Sequence, residues 1–318
     1  MDHRHRFPDF FIVGAAKSGT TSLHRYLAQH PAVFVPAIKE PNFFAYCDRE
    51  LDLTGPASRR WIRKVVYGRT IRDEQQYLSL FAEAKPQQLV GESSPRYLYY
   101  PNAIVNLSLR VPSAKLIVLL RDPVLRAYSH YRMNREYNLE PCSRFEDAVA
   151  LEDQRVAKGF GWDWHYLRVS RYGEQLRRLL AHYPREQVFV CTYERLVAAP
   201  AAVCTEICTF LGISADYDFD FSKRHKVTRP YRGDVGLLLY HPNLTLAGRV
   251  ARRIVPFPIQ RRIKSGIDFL DRKRPPVPLD TATYHQLRAG MTEDIETLTA
   301  LTDLDISPWR SRARSSAA

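Results

Sequence analysis

The chain has 318 residues, 45% of them hydrophobic and 25% charged, an ordinary globular composition, and a net charge of +13. No apolar run approaches the roughly 18–20 residues a membrane span needs, and length alone leaves one domain or two open. The positive balance points to an anionic ligand, nucleic acid or an anionic surface.

The N-terminus, MDHRHRFPDFFIVGAA, places charges before a short apolar run, as a signal peptide does. The run leads into a lysine-bearing glycine turn, so Phe10–Val13 reads instead as a buried first strand. Leu23, Tyr26 and Leu27 then recur at helical spacing from Thr20 to Gln29, and Pro31 stops the helix. Val33–Val35 reads as a second short strand. Leu89–Val90 reads as a third, ending in turn chemistry at Gly91-Glu-Ser-Ser-Pro. KLIVLL, Lys115 to Leu120, is the clearest strand; Asp122 caps the helix after it, with Pro123 in the first turn. QVFVC, Gln187 to Cys191, is a further strand, followed by Tyr193, Glu194 and a helix from Pro200 to Leu211. Between Lys223 and Pro278 prolines cluster and periodicity fails, as in a lid or substrate-side elaboration. Thr283–Leu301 is helical again, and Arg310–Ala318 has the composition of a disordered tail.

Strands alternating with helices predict an α/β fold, a parallel sheet with helices on both faces. Ligands of such sheets lie at the carboxyl ends of strands, and Lys17, Glu40, Glu92 and Arg121 all follow apolar runs. The five cysteines, Cys47, Cys142, Cys191, Cys204 and Cys208, are odd in number and scattered, which predicts reduced thiols. No Cys/His cluster has metal-ligand spacing. From Arg249 to Arg274 nine basic residues face only Asp268 and Asp271, a solvated lid face or a stretch able to touch anionic lipid.

Two stretches carry chemistry. In Gly14-Ala-Ala-Lys-Ser-Gly-Thr-Thr, a strand, a glycine turn and a helix start make an anion site from free amides and the helix dipole. Ser18, Thr20, Thr21 and Ser22 add hydroxyls. Gly14 and Gly19 have the separation of a nucleotidase loop, but Thr20 stands where its lysine belongs, and no magnesium-binding carboxylate is evident. Lys17 is then placed for a bridging oxygen of a phosphate monoester, where it neutralises developing charge. In LLRDPVLRAYSHYRM, Arg121 ends a buried strand and offers a planar fork, with Ser129 two helical turns on. Together they predict a ligand with two separated phosphates.

IVGAAKSGTTSLHRYLAQHP resembles the 5′-phosphosulfate loop of sulfotransferases, and LIVLLRDPVLRAYSHY resembles their 3′-phosphate motif. The likeness continues through SRYGEQLRRLLAHYPREQVFVCTYERLVAAP, FLGI and LTALTDLDISPW, and so covers most of the chain. KEPNFFA and GESSPRYL are similar to segments of the heparan-sulfate-type carbohydrate sulfotransferases and their bacterial homologues. The resemblance implies one α/β domain over residues 1–318: a core at about 7–222, lid and C-terminal helical elements at 223–309, and the tail at 310–318. It implies 3′-phosphoadenosine 5′-phosphosulfate as cofactor, adenosine 3′,5′-bisphosphate as product, and no metal. By the same resemblance Glu40 is the base that deprotonates the acceptor, and Lys17 assists the leaving phosphate. Lys39 helps bind the sulfuryl group or the acceptor. Ser18, Gly19, Thr20, Thr21 and Ser22 grip the 5′-phosphate; Arg121 and Ser129 grip the 3′-phosphate. Glu92 is a second carboxylate that tunes these lysines, touches the acceptor or serves the structure. His24 and His130 read as helix-face or solvated histidines.

One departure stands out. Many relatives carry a late Lys-Gly segment, whereas SKRHKVTRPYRG, Ser222 to Gly233, has none; Lys226, Arg229 or Arg232 is left to replace it. The acceptor is expected to be a glycan, then a lipid or small-molecule hydroxyl, handled by a bacterial cytosolic enzyme that binds no nucleic acid. The alternatives are a nucleotide or small-molecule kinase and a basic protein that binds anions or a membrane surface.

Overall fold

The structure, a computed structural model, describes residues 6–137, 139–222 and 279–309. The expectations for 223–278, including the basic segment 249–274, for Lys226, Arg229 and Arg232, and for the tail 310–318 lie outside the described residues.

Five strands form one parallel sheet in the order β2-β3-β1-β4-β5: β1 Phe10–Gly14, β2 Val33–Phe34, β3 Leu89–Ser93, β4 Lys115–Leu120 and β5 Val188–Thr192. The expected α/β class is therefore present. Side-chain alternation explains why the strands read as continuous apolar runs. Phe11, Val13, Leu116, Val118 and Leu120 enter one core; Phe10, Ile12, Ile117 and Leu119 enter the other. The first core is closed by the helices Pro101–Arg110, Tyr172–Leu180 and Thr292–Leu301. The second is closed by Thr20–Leu27 and Pro200–Leu211, which buries Cys204 and Cys208. All five cysteines are free thiols.

Two sequence expectations are corrected. The third strand does not end at Val90 but runs through Gly91 and Glu92 to Ser93, so Glu92 lies inside it. Gly91 is paired with Phe10, whose ring would sit 2.1 Å from a Cβ at that position; the glycine makes room for the ring and not for a turn. The span 283–301 is two helices, Thr281–Ala289 and Thr292–Leu301, separated at Gly290 and Met291.

The winding changes at β1: the chain goes from β1 to the edge strand β2, returns inward to β3 beside β1, then crosses to β4 on the other side of β1 and on to β5. The carboxyl ends of β1 and β4 are neighbours at this switch point, where a crevice forms. Among the described residues no helix is long and apolar enough to cross a membrane.

Candidate functional site

The β1 strand ends at Gly14, and the helix Thr20–Leu27 starts five residues later. Gly19 occupies the position before that helix with φ +87°, and an added Cβ would meet the Tyr193 ring at 2.9 Å. Among the described residues no side chain caps the helix. Its first amides to find partners are those of Ser22 and Leu23, both on the Gly19 carbonyl at 2.9 and 3.1 Å. The amides of Gly19, Thr20 and Thr21 thus remain for a ligand. The Ser18 hydroxyl is fully buried and has no partner among the described residues. Leaving such a group unsatisfied costs about 1–3 kcal/mol, and an anion seated in the loop would remove the deficit.

Lys17 adopts φ +69°, a left-handed conformation disfavoured for a lysine. Its carbonyl accepts a hydrogen bond from Arg121 Nη1 at 3.3 Å, and its ammonium lies 3.4 Å from the Met133 sulfur. Partial burial pushes the Lys17 ammonium down to about 8, although Glu136 and Glu40 pull it back; Arg121 and Arg126 push with burial. Glu136 is buried, with Oε2 unpartnered among the described residues, and burial raises its carboxyl to about 7 against the pull of Arg132 and Lys17. Ser129, Met133 and Glu136 follow one another at four- and three-residue steps on the helix Pro123–Glu136, so they share a face. Met133 and Glu136 were not among the expected site residues, yet that spacing from Ser129 was the available signal.

Arg121 leaves the tip of β4 and spreads its guanidinium over the Tyr193 ring, 4.8 Å from the centroid. Its Nε is buried without a partner among the described residues. The segment after it is braced as expected and more: the Asp122 carboxylate accepts from the Leu125 amide at 2.9 Å and from the Tyr284 hydroxyl at 2.7 Å. Glu194 accepts from the Asp122 amide at 3.4 Å and from the Trp309 indole at 2.9 Å.

Glu40 approaches from the other side of β1. Its amide donates to the Ser93 carbonyl at the end of β3 at 3.1 Å. Asn42 fastens the same turn: its side chain donates to the Glu40 carbonyl at 2.8 Å, and its amide donates to Ser94 Oγ at 3.0 Å. Glu40 has φ +65° and Asn42 φ +53°; with Lys17 they are the non-glycine residues of positive φ among the described ones. Such strain persists where the surrounding structure imposes it, and it clusters at functional sites. Glu40 and Lys39 form an ion pair in which the Glu40 side chain keeps 41% of its exposure. Burial alone would raise the Glu40 carboxyl; Lys39, with Arg96 and Arg69 behind it, outweighs burial and holds it below the ordinary value.

Glu92 is placed differently from this group. It is buried, and Tyr97 and Tyr77 donate to its Oε2 at 2.6 and 3.2 Å. Burial raises its carboxyl to about 7 despite hydrogen bonds from Ser94 and the tyrosines. His24 and His130 are both buried, not solvated, and burial holds His24 down to about 4 and His130 well below its ordinary range. Among the described residues no group of three or more His, Cys, Asp or Glu is placed to hold a metal ion.

This arrangement has counterparts. A family model described as "Sulfotransferase family" matches residues 8–217. Human heparan sulfate glucosamine 3-O-sulfotransferase 3B1 is 28% identical over 225 residues, covering 69% of this chain and 50% of that protein. The membrane-associated sulfotransferase kil1 of Dictyostelium discoideum is 31% identical over 298 residues, covering 69% of this chain and 59% of its own. The chain thus spans about half the length of the curated relatives it matches. The crystal structure of a sulfotransferase from Alicyclobacillus acidocaldarius superposes with a TM-score of 0.71 at 32% identity, over 96% of this chain and 99% of that one. Strand order, loop and family model agree, and the chain belongs to the sulfotransferase family.

Proposed function

We propose that the protein transfers the sulfuryl group of 3′-phosphoadenosine 5′-phosphosulfate to a hydroxyl or amine of a carbohydrate. The observation that carries this reading is the pair of buried donors without partners among the described residues, Ser18 Oγ and Arg121 Nε, at neighbouring strand tips joined by the Arg121–Lys17 hydrogen bond. Both donors would be satisfied at once by a nucleotide phosphorylated at the 5′ and 3′ positions. When bound, that nucleotide supplies the sulfuryl group.

The rest is the work of this chain's residues. The amides of Gly19, Thr20 and Thr21, with the hydroxyls of Ser18, Thr20, Thr21 and Ser22, hold the 5′-phosphate. Arg121 and Ser129 hold the 3′-phosphate. Lys17 keeps its proton at neutral pH, since about 8 lies above 7, and sets a positive charge against the departing phosphate. Glu40 stays ionised and accepts the proton that the acceptor hydroxyl loses as its oxygen bonds to sulfur. Lys39, paired with Glu40 in the structure, would help hold the sulfuryl oxygens of the bound nucleotide or the acceptor.

Carbohydrate is favoured as the acceptor class by the heparan sulfate names among the relatives. The basic balance of the chain fits an acidic glycan as well as the nucleotide. The deciding experiment offers the protein the phosphosulfate and, separately, ATP with magnesium, over a panel of glycans, lipids and phenols. Sulfated product with the first and none with the second is expected. Phosphorylated product with ATP would replace this reading by the kinase one.

A further inference from the structure

A second concavity lies apart from the transfer cleft. It is a cavity of about 440 Å³ walled by residues from 49–52, 99–101 and 159–178, and none of Lys17, Lys39, Glu40 and Arg121 lines it. That volume is within the range of small-ligand sites. Its polar wall is rich in donors: Arg49, Arg168, Arg171 and Arg178 stand there against Asp52 and Glu174. Arg49 is paired with Asp52, Arg168 with Asp153 at 2.8 Å, and Arg178 with Glu174 at 2.8 Å. Arg171 is exposed and has no ion pair among the described residues.

Three buried nitrogens in the same wall lack partners among the described residues: Trp162 Nε1, His165 Nε2 and Arg178 Nε. Trp162 is 5% exposed and His165 7%. Indole and guanidinium nitrogens are donors and nothing else, so their missing partners are acceptors. His165 Nδ1 is 2.7 Å from the Tyr99 hydroxyl, and with that hydroxyl donating, Nε2 is a third N–H. Buried donors without acceptors are rare, and three in one wall call for an acceptor-rich occupant. The ring faces of Tyr99, Tyr100, Phe160 and Trp162 complete the lining.

We propose that this cavity is a binding site for an anionic sugar unit, a pyranose-sized ring bearing a sulfate or carboxylate. The oxyanion takes the guanidinium forks and the indole N–H, and the C–H face of the ring lies on the aromatic wall. The choice of a sugar ring rests on the carbohydrate reading above, whereas the anion follows from the donors alone. The site is separate from the nucleotide site, so both are filled together. Trp162 is fixed in the cavity wall by its neighbours: its ring packs on His130 with centroids 5.3 Å apart and lies 4.6 Å from the Arg96 guanidinium.

Calorimetry with glucose 6-sulfate as probe tests this, with glucose and inorganic sulfate as the separated halves. Glucose 6-sulfate is expected to bind equally with and without saturating adenosine 3′,5′-bisphosphate. Each half alone should bind at least about tenfold more weakly. Arg171→Ala, an exposed change, and Trp162→Phe, which keeps a ring and removes the N–H, should each weaken the probe by about tenfold and leave bisphosphate affinity unaltered. Displacement of the probe by bisphosphate, unchanged binding in Arg171→Ala, or no binding at millimolar probe would overturn the assignment. Bisphosphate titrated alone reports on the transferase reading, so failure of one is distinguishable from failure of the other.

Discussion

Arg121 Nη1 donates to the carbonyl oxygen of Lys17 at 3.3 Å, so the side chain at the tip of β4 holds the strained backbone at the tip of β1. One guanidinium therefore serves two purposes: it shapes the loop and keeps Nε free for a ligand. Arg121→Lys retains the charge but loses the planar fork. Adenosine 3′,5′-bisphosphate affinity, measured by calorimetry, should fall roughly 10- to 100-fold, the cost of a charged hydrogen-bonding pair. Affinity equal to wild type would remove Arg121 from the nucleotide site.

Glu40→Gln keeps the volume and the turn that Ser93 and Asn42 anchor, and removes the proton acceptor. The turnover number is expected to drop by roughly 10²- to 10⁴-fold, with bisphosphate affinity changed by no more than about twofold. Retained turnover would assign the base elsewhere.

The rate should be bell-shaped in pH. Lys17 is needed protonated and is held at about 8, so kcat/KM falls as pH rises past that value. Glu40 is needed ionised and is held below the usual carboxylate range, so the acid limb lies below that range too. In Lys17→Arg the side chain stays charged throughout, and the alkaline limb near 8 should vanish even where the rate itself is lower. An alkaline limb unmoved in that variant would belong to another group.

Stability should carry the mark of Glu92. Its folded carboxyl titrates at about 7 and its unfolded one near the ordinary value of 4.5, so the folded state binds more protons between the two. The stability it contributes is complete below 4.5 and is lost as pH rises through 7. The loss is on the order of 3 kcal/mol for so buried a group. Urea denaturation at pH 5 and pH 8 should show the difference in wild type and a smaller one in Glu92→Gln. The same difference in both proteins would mean that the carboxyl is ionised in the fold.

The sheet was legible because each strand is buried on both faces. KLIVLL carries its own boundaries, since Lys115 and Arg121 are the first polar residues on either side. The phosphate loop was legible because anion binding there needs specific residue types at fixed spacing. Glu92 was misplaced because Gly91-Glu92 imitates a turn, and only the Phe10 ring on the neighbouring strand explains the glycine. The stack of Arg121 on Tyr193 joins residues 72 apart, with nothing local to announce it. The same holds for the arginine-rich cavity, whose wall is assembled from three separated stretches by tertiary packing. His130 reads as a helix-face or solvated histidine because the helix Pro123–Glu136 has little polarity contrast between its faces; Trp162 and Tyr166 cover the side on which it lies.

Tyr284 and Trp309 reach back to Asp122 and Glu194, the braces behind Arg121. In a chain that emerges from the ribosome N-terminus first, the loop around Lys17 is made well before Tyr284 and Trp309, which support its partner arm. A nascent chain halted before Trp309 would carry the first half of a nucleotide clamp without the buttress of the second, which ties competence for ligand to synthesis of the segment that holds Trp309.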